Sequence, residues 1–161
     1  MGKNCVDILR SLLRVDVRIG RCDAYPSEKM SGDNRQSNIV HNGGCHCQAV
    51  RFTLRAPLHL QVVECNCSIC SKSGYLHLIV NAEDFTLVRG DAALIHYTFN
   101  THTADHQFCR KCGIKSFYIP RSHPSGYSVN AQCLDSNPNR KIEIQPFDGL
   151  RWEDSIASLE T

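Results

Sequence analysis

Seven of the ten cysteines in this chain of 161 residues lie in three short clusters, and their spacing constrains the fold more than any other feature. The clusters are C-x-C in "GGCHCQA" (Cys45, Cys47), C-x-C-x-x-C in "ECNCSIC" (Cys65, Cys67, Cys70) and C-x-x-C in "FCRKCG" (Cys109, Cys112). Because the middle cluster holds an odd number of thiols, its members cannot all pair with one another in disulfides. Reduced cysteines at such spacings are typical of metal sites.

The first twenty residues favour reduced thiols. The stretch "MGKNCVDILRSLLRVDVRIG" is interrupted by aspartates and arginines, so it lacks the apolar segment of a secretory signal. No run reaches the roughly 18 apolar residues of a membrane span. We therefore expect an intracellular protein, cytoplasmic or nuclear, with reduced cysteines and no membrane partner. The net charge of only +2, with no lysine- or arginine-rich block, argues against a nucleic-acid partner.

Short runs of β-branched and aromatic residues, separated by Gly, Pro, Asn and Asp, predict a mostly β domain over about 41–150. Several runs alternate apolar and polar residues, as half-buried antiparallel strands do. The candidate strands are 49–54, 60–66, 75–80, 85–90, 94–99, 115–120 and 127–132. Residues 1–40 are predicted to be a flexible lead-in. Residues 151–161 are predicted to be a short C-terminal helix or tail, with Trp152 and Ile156 on one face.

The first and third clusters predict one closed metal site. Alternate side chains of a strand point the same way, so Cys45 and Cys47 on a strand would direct both sulfurs at one ion, with His46 pointing away as a non-ligand. A C-x-x-C sequence forms a tight turn, and Gly113 suits the left-handed backbone that such a turn often needs. Zinc takes four ligands in structural sites. We expect a structural zinc on four cysteines: Cys45, Cys47, Cys109 and Cys112.

The middle cluster predicts a second metal site with a different character. Three protein ligands with one open position, filled by water or substrate, is the arrangement of catalytic zinc. Cys65, Cys67 and Cys70 fit that arrangement. The alternative is an inert site in which a histidine supplies the fourth ligand. The candidates for that ligand are His77, His96 and His106.

Four residues near the middle cluster or later in the chain are candidates for contacts with a substrate. Asn66 and Ser68 share the loop of the cluster and offer hydrogen bonds to sulfur or substrate, although as turn formers they need no such role. His77 is a candidate acid or base, and the alternative is a solvent-facing histidine on a strand. Arg121 in "PRSHP" is a candidate partner for a carboxylate, and the alternative is a surface ion pair.

Four stretches of this sequence resemble the family of glutathione-dependent formaldehyde-activating enzymes and centromere protein V: "HNGGCHCQAVRF", "CNCSIC", "FCRKCG" and "SFYIPRSHPSGYSVNAQCLD". The resemblance covers roughly residues 41–150 and includes all seven clustered cysteines in order. The stretches "TFNTHTADHQFCRKCG" and "YIPRSHP" look closer to the centromere protein V branch than to the bacterial enzymes. The resemblance implies a mostly β, Mss4-like (β-tent) zinc-binding fold with two zinc ions, the structural one on the first and third clusters and the catalytic one on the middle cluster.

The resemblance also implies a function. The family interconverts formaldehyde plus glutathione with S-hydroxymethylglutathione, a reaction of the carbon–sulfur lyase class. The expected partners are a small thiol such as glutathione and an aldehyde. The alternative is a non-catalytic, zinc-stabilised binding module with a chromatin or cytoskeletal role. A concave pocket over the middle cluster would favour the enzyme, and a basic surface stripe would favour the binding module.

Overall fold

The computed structural model describes residues 37–159, and in these residues ten strands form two β-sheets. The strands are β1 (Ile39–Gly44), β2 (Arg51–Ala56), β3 (His59–Cys65), β4 (Leu76–Asn81), β5 (Phe85–Arg89), β6 (Leu94–Tyr97), β7 (Asp105–Cys109), β8 (Phe117–Ile119), β9 (Gly126–Asn130) and β10 (Lys141–Phe147). The helices are α1 (Ser68–Ser73) and α2 (Trp152–Ser155), and short 3-10 turns include Gly149–Arg151 and Ile156–Leu159. The mostly β class with a short C-terminal helix is confirmed.

The two sheets differ in size and in strand direction. The smaller sheet has the order β1-β2-β5 and is antiparallel throughout. The larger sheet has the order β10-β3-β4-β9-β8-β7-β6, and only its β10–β3 pair is parallel. The parallel pairing sets Phe147 at the end of β10 beside Cys65 at the end of β3. The chain that leaves β10 is thereby brought to the middle cysteine cluster.

The main core is formed by apolar side chains of both sheets. On β2, Phe52 and Leu54 are fully buried, as the alternating pattern requires. The ring of Phe52 contacts those of Phe85 and Phe117 at centroid distances of 5.5 and 5.8 Å. Each such side chain stabilises the fold by about 1.5–3 kcal/mol when it leaves water. A separate, smaller cluster contains Cys65, Cys70 and Phe147, so the middle cysteines have an apolar setting of their own.

All seven candidate strands overlap strands of the structure, and three strands are absent from the candidates. β1 contains Asn42 and two glycines, which are rare in strands. β7 begins with the polar sequence "DHQ", although His106 and Gln107 are buried there. β10 contains Pro146, and a proline argues against strand until the strand is seen to lie at a sheet edge.

The predicted domain bounds stay predictions. β1 begins at Ile39, while residues 1–36, most of the predicted lead-in, lie outside the described residues. Within residues 37–159, no helix combines the length and apolar character that crossing a bilayer requires.

Candidate metal centres and the adjoining cavity

The first and third clusters meet in space, as their spacing predicts. Their four Sγ atoms lie within 4.8 Å of one another: those of Cys45, Cys47, Cys109 and Cys112. The Sγ of Cys47 is 3.6 Å from that of Cys45 and 3.6 Å from that of Cys109. Cys45 and Cys109 are only 1% exposed, so the group closes at least partly inside the protein. Four sulfurs at these separations fit a tetrahedral, thiolate-binding ion such as zinc.

The local backbone at the first pair differs from the expectation. Cys45 and Cys47 lie in a turn after β1 and not on a strand, so the strand argument for their common direction is wrong. The N–H of Gln48 donates to the carbonyl of Cys45 at 3.0 Å, and Gln48 has a φ of +63°. The turn brings the sulfurs together by folding the chain back. His46 is exposed and lies outside the group of four.

The backbone of the third cluster agrees with the expectation. Gly113 has a φ of +72°, in the left-handed region that glycine adopts without strain. Its N–H donates to the carbonyl of Cys109 at 2.8 Å. The N–H of Cys109 in turn donates to the carbonyl of Ile114 at 3.0 Å, which closes the turn. The glycine and these two hydrogen bonds define the C-x-x-C turn.

The middle cluster forms a second group of three sulfurs within 4.8 Å of one another. Cys65 ends β3, Cys67 precedes α1 at its N-cap position, and Cys70 lies inside α1. The strand–turn–helix path therefore explains the C-x-C-x-x-C spacing. The neighbouring thiols and the backbone N–H groups of α1 lower the pKa of Cys67, whereas the neighbouring thiols and burial raise that of Cys70. A divalent cation bound here would displace the remaining thiol protons.

No histidine within the described residues belongs to this second group of metal-ligating atoms. His96 is exposed, and its Nδ1 lies 2.9 Å from a carboxylate oxygen of Asp105. His77 and His106 are both buried near the cluster without joining it. Within the described residues this group therefore consists of three cysteine sulfurs, with His77 beside one of them.

His77 contacts the middle cluster at Cys70. Its Nε2 lies 3.2 Å from the Sγ of Cys70, and its Nδ1 lies 2.9 Å from the Oγ of Ser128 and 3.4 Å from the hydroxyl of Tyr118. The side chain is buried, so the solvent-facing alternative is wrong. Burial lowers the pKa of His77 to about 4, which keeps the ring neutral near pH 7. A neutral ring with its proton on Nε2 donates to the sulfur and accepts from Ser128.

A cavity of about 500 Å³ opens beside the middle cluster. Its wall includes all three cysteines and two residues close to them in sequence, Ser68 and His77. Residues from strands and loops farther along the sequence also contribute to the wall. The distant residues include Phe99, His106, Tyr118, Arg121, Gly149 and Trp152. The volume lies in the range of small-molecule sites, and the lining mixes aromatic rings with a few polar groups as such sites do.

Arg121 lies at this cavity and has two partners. Its guanidinium carbon is 4.2 Å from the centroid of the Trp152 ring, and its Nη2 donates to a carboxylate oxygen of Glu153 at 3.3 Å. The ion pair that the sequence left open is therefore present, although Glu153 is 84% exposed. Ion pairs this exposed contribute little to stability, so the guanidinium is free to exchange this partner for a ligand carboxylate.

Asn66 does not line this cavity but holds the chain that follows β10. Its side-chain amide donates to Asp148 at 3.0 Å, and its side-chain oxygen accepts from the N–H of Leu150, also at 3.0 Å. Its backbone N–H donates to the carbonyl of Phe147 at 3.2 Å. These contacts position the segment 147–152, which supplies one wall of the cavity.

The sequence named His106 only as a candidate fourth metal ligand, and nothing in it indicated a place in the cavity wall. His106 is 3% exposed and stacks on Tyr118 at a centroid distance of 4.8 Å. Its Nδ1 has no hydrogen-bond partner among the described residues. Burial, followed by the charge of Lys115, lowers its pKa to about 4. A polar strand such as "DHQFC" gives no indication that its histidine turns inward, because that depends on the pairing of β7 with β8.

The fold and site together define a mostly β protein with two thiol clusters suited to metal, one of four sulfurs and one of three beside a cavity. The model of the family described as glutathione-dependent formaldehyde-activating enzyme matches residues 40–148, and the chain belongs to this family. A Halomonas elongata protein named for the same family is 27% identical over 113 residues, which cover 65% of this chain and 72% of that protein. A Rhodobacter sphaeroides protein of known crystal structure is 34% identical with a TM-score of 0.55, over 65% of this chain and 99% of that one.

Proposed function

We propose that this chain binds glutathione at the cavity beside Cys65, Cys67 and Cys70 and interconverts formaldehyde plus glutathione with S-hydroxymethylglutathione. The observation that carries the proposal is that these three sulfurs line a cavity of about 500 Å³. A concave site over this cluster is what distinguishes an enzyme from a binding module. Membership of the formaldehyde-activating family supports the same substrates. Nothing in residues 37–159 specifically favours a chromatin or cytoskeletal binding module.

We further propose two zinc ions per chain, a structural one on the four-cysteine group and a second one on the group of three. Both donor sets consist of closely spaced sulfurs, which suit zinc. When bound at the group of three, zinc supplies a Lewis-acidic position that stabilises a substrate thiol in its thiolate form.

The reaction forms one bond to sulfur and involves no oxidation or reduction. The glutathione sulfur bonds to the carbonyl carbon of formaldehyde, the C=O double bond becomes single, and the thiol proton ends on the oxygen. The reverse direction breaks the same carbon–sulfur bond, which defines a carbon–sulfur lyase. His77 lines the cavity with its Nε2 3.2 Å from the Sγ of Cys70, and it remains our candidate for moving the proton.

The remaining candidates have positions that fit contacts with glutathione. Arg121 offers a guanidinium to one of the two glutathione carboxylates. Stacking on Trp152 holds this guanidinium at the wall of the cavity. Ser68 offers a hydroxyl near the sulfurs. Asn66 acts indirectly, by holding the segment 147–152 in place. Placement in the centromere protein V branch and an intracellular location, cytoplasmic or nuclear, are parts of this proposal that rest on the motifs and on the reduced thiols.

Cobalt substitution tests the proposal. Co²⁺ bound by thiolates has a visible spectrum that changes with its ligands, so we expect glutathione to alter the signal of one of two cobalt ions. S-methylglutathione, which has no free thiol, should leave the spectrum unchanged. Cys67→Ser should abolish the response, while Cys133→Ser, at a cysteine outside both clusters, should keep it. A spectrum that stays fixed at saturating glutathione contradicts the proposal. A parallel assay follows glutathione-dependent consumption of formaldehyde.

A further inference from the structure

Lys115 is the buried cation that neither metal centre explains. It lies between the C-x-x-C turn and β8 and is only 4% exposed. Its Nζ has no hydrogen-bond partner among the described residues. Burying an ammonium without a partner is costly, so an apolar residue would be expected here unless the charge contributes something.

Two aromatic rings take the place of hydrogen-bond partners. The Nζ lies 4.1 Å from the ring centroid of Tyr118 and 4.5 Å from that of Tyr75. Both separations fit cation–π contacts. Tyr118 lines the cavity. Tyr75 lies 4.6 Å from the ring of His77, which contacts Cys70. A series of contacts from Lys115 to Tyr75, from Tyr75 to His77 and from His77 to Cys70 therefore connects the ammonium with the middle cluster.

The negative charges that act on Lys115 are those of the middle cluster. Burial lowers the pKa of its ammonium to about 8, and the thiolates of Cys70, Cys67 and Cys65 act in the opposite direction. The side chain thus stays largely charged at pH 7. It also disfavours protonation of both His77 and His106.

The charge balance indicates what Lys115 contributes. Three thiolates and one divalent cation sum to −3 + 2 = −1, and a bound substrate thiolate makes the sum −2. We propose that Lys115 is a buried counter-charge that makes the middle centre prefer an anionic thiolate over a neutral donor as its exogenous ligand. The inference rests on the proposed function, since it needs a metal and an exogenous ligand at this cluster. Lys115 acts through the rings of Tyr75 and Tyr118, so its role is positioning and not catalytic.

The test compares an anionic with a neutral ligand on the cobalt-substituted full chain at pH 7. The ligands are 2-mercaptoethanol, a thiol without carboxylates, and imidazole. Lys115→Met keeps an unbranched stem against the rings but removes the charge. We expect the Kd of 2-mercaptoethanol to rise about tenfold, and the Kd of imidazole to change less than about twofold. Lys111→Met, at an exposed lysine in the C-x-x-C turn four residues before Lys115, should change neither Kd.

Each outcome decides between defined alternatives. If wild type binds thiol and Lys115→Met binds it equally well, or weakens both ligands equally, the counter-charge is refuted and the proposed function stands. If wild type binds no thiol, the proposed function fails, and this inference fails with it. Lys115→Arg, which keeps the charge, should retain the thiol preference. Should Lys115→Met fail to fold, Lys115→Leu and Lys115→Gln replace it, and failure of all three assigns the lysine to folding alone.

Discussion

The backbone of Gly149 lies against the side chain of Cys65, with no room between them for a further atom. A Cβ at residue 149 would overlap the Sγ of Cys65 and would stand 3.1 Å from the Cβ of Cys67. The contact arises because β10 runs parallel to β3 and ends beside Cys65, after which the chain turns across the cluster. Residue 149 lies just beyond the family match at 40–148, so part of the cavity wall is formed by sequence outside the matched range.

Gly149→Ala should therefore disturb the middle centre selectively. The added methyl must displace a cysteine or the segment 147–152, and overpacking of this kind costs about 1–3 kcal/mol. We expect the metal content to fall from two ions towards one per chain, measured by elemental analysis, with the fold retained. Leu150→Ala, at a neighbour that is 71% exposed, should keep both ions. If Gly149→Ala keeps two ions per chain, the cluster adapts to the added methyl group and the prediction is wrong.

Damage to the four-cysteine group should have a larger effect on stability. Its ligands come from the turn after β1 and from the end of β7 onward, so one ion would link both sheets. A structural zinc contributes on the order of 10 kcal/mol to folding, and we expect Cys109→Ala to unfold or aggregate. Cys133→Ala, at a partly buried cysteine outside both clusters, should remain folded. The measurements are thermal melting and zinc analysis of both variants. If Cys109→Ala melts like wild type and keeps two zinc ions, the assignment of a structural site to this group is refuted.

The grouping of the cysteines could be predicted because it depends on short spacings. Two sulfurs two or three residues apart reach one ion in several backbone conformations, so Cys45 and Cys47 converge in a turn although a strand was expected. The left-handed Gly113 was likewise predictable, since a tight turn has few conformations. A strand with clear alternation, such as β2, was predictable for the same local reason.

The cavity could not be predicted because it depends on strand order. His106 reaches the cavity only because β7 pairs with β8, and Tyr118 lies on β8 itself. Trp152 arrives through the parallel pairing of β10 with β3, a long-range connection that no local pattern encodes. The inward direction of Lys115 is a consequence of the same packing.

Because His106 is buried, we expect the protein to lose stability at acidic pH. Its folded pKa of about 4 lies below the ordinary value of 6.5, so the unfolded chain takes up the proton first as the pH falls. The contribution of His106 to stability is thus constant above pH 6.5 and becomes increasingly unfavourable between 6.5 and 4. His106→Phe keeps the stacking on Tyr118 and Phe99 but removes the titrating ring, and with it this pH-dependent contribution to the free energy of unfolding. We expect wild type to lose about 1.5 kcal/mol more than the variant between pH 6.5 and 5, measured by urea unfolding at fixed zinc. Parallel pH profiles would contradict the assignment.

His77 should strengthen the middle centre without serving as a ligand. Its Nε2 lies 3.2 Å from the Sγ of Cys70, and supporting hydrogen bonds to metal ligands typically change metal affinity by about 10- to 100-fold. We expect His77→Phe, which keeps an aromatic ring against Tyr75 and Tyr118, to weaken metal binding at the group of three by that factor in competition with a chelator. His96→Phe, at an exposed histidine paired with Asp105, should leave the affinity unchanged. The cobalt-loaded His77→Phe protein should still respond to glutathione, because the proposed binding position for the thiol does not involve His77. A response that appears only after His77 is removed would instead identify His77 as the fourth ligand and the centre as closed.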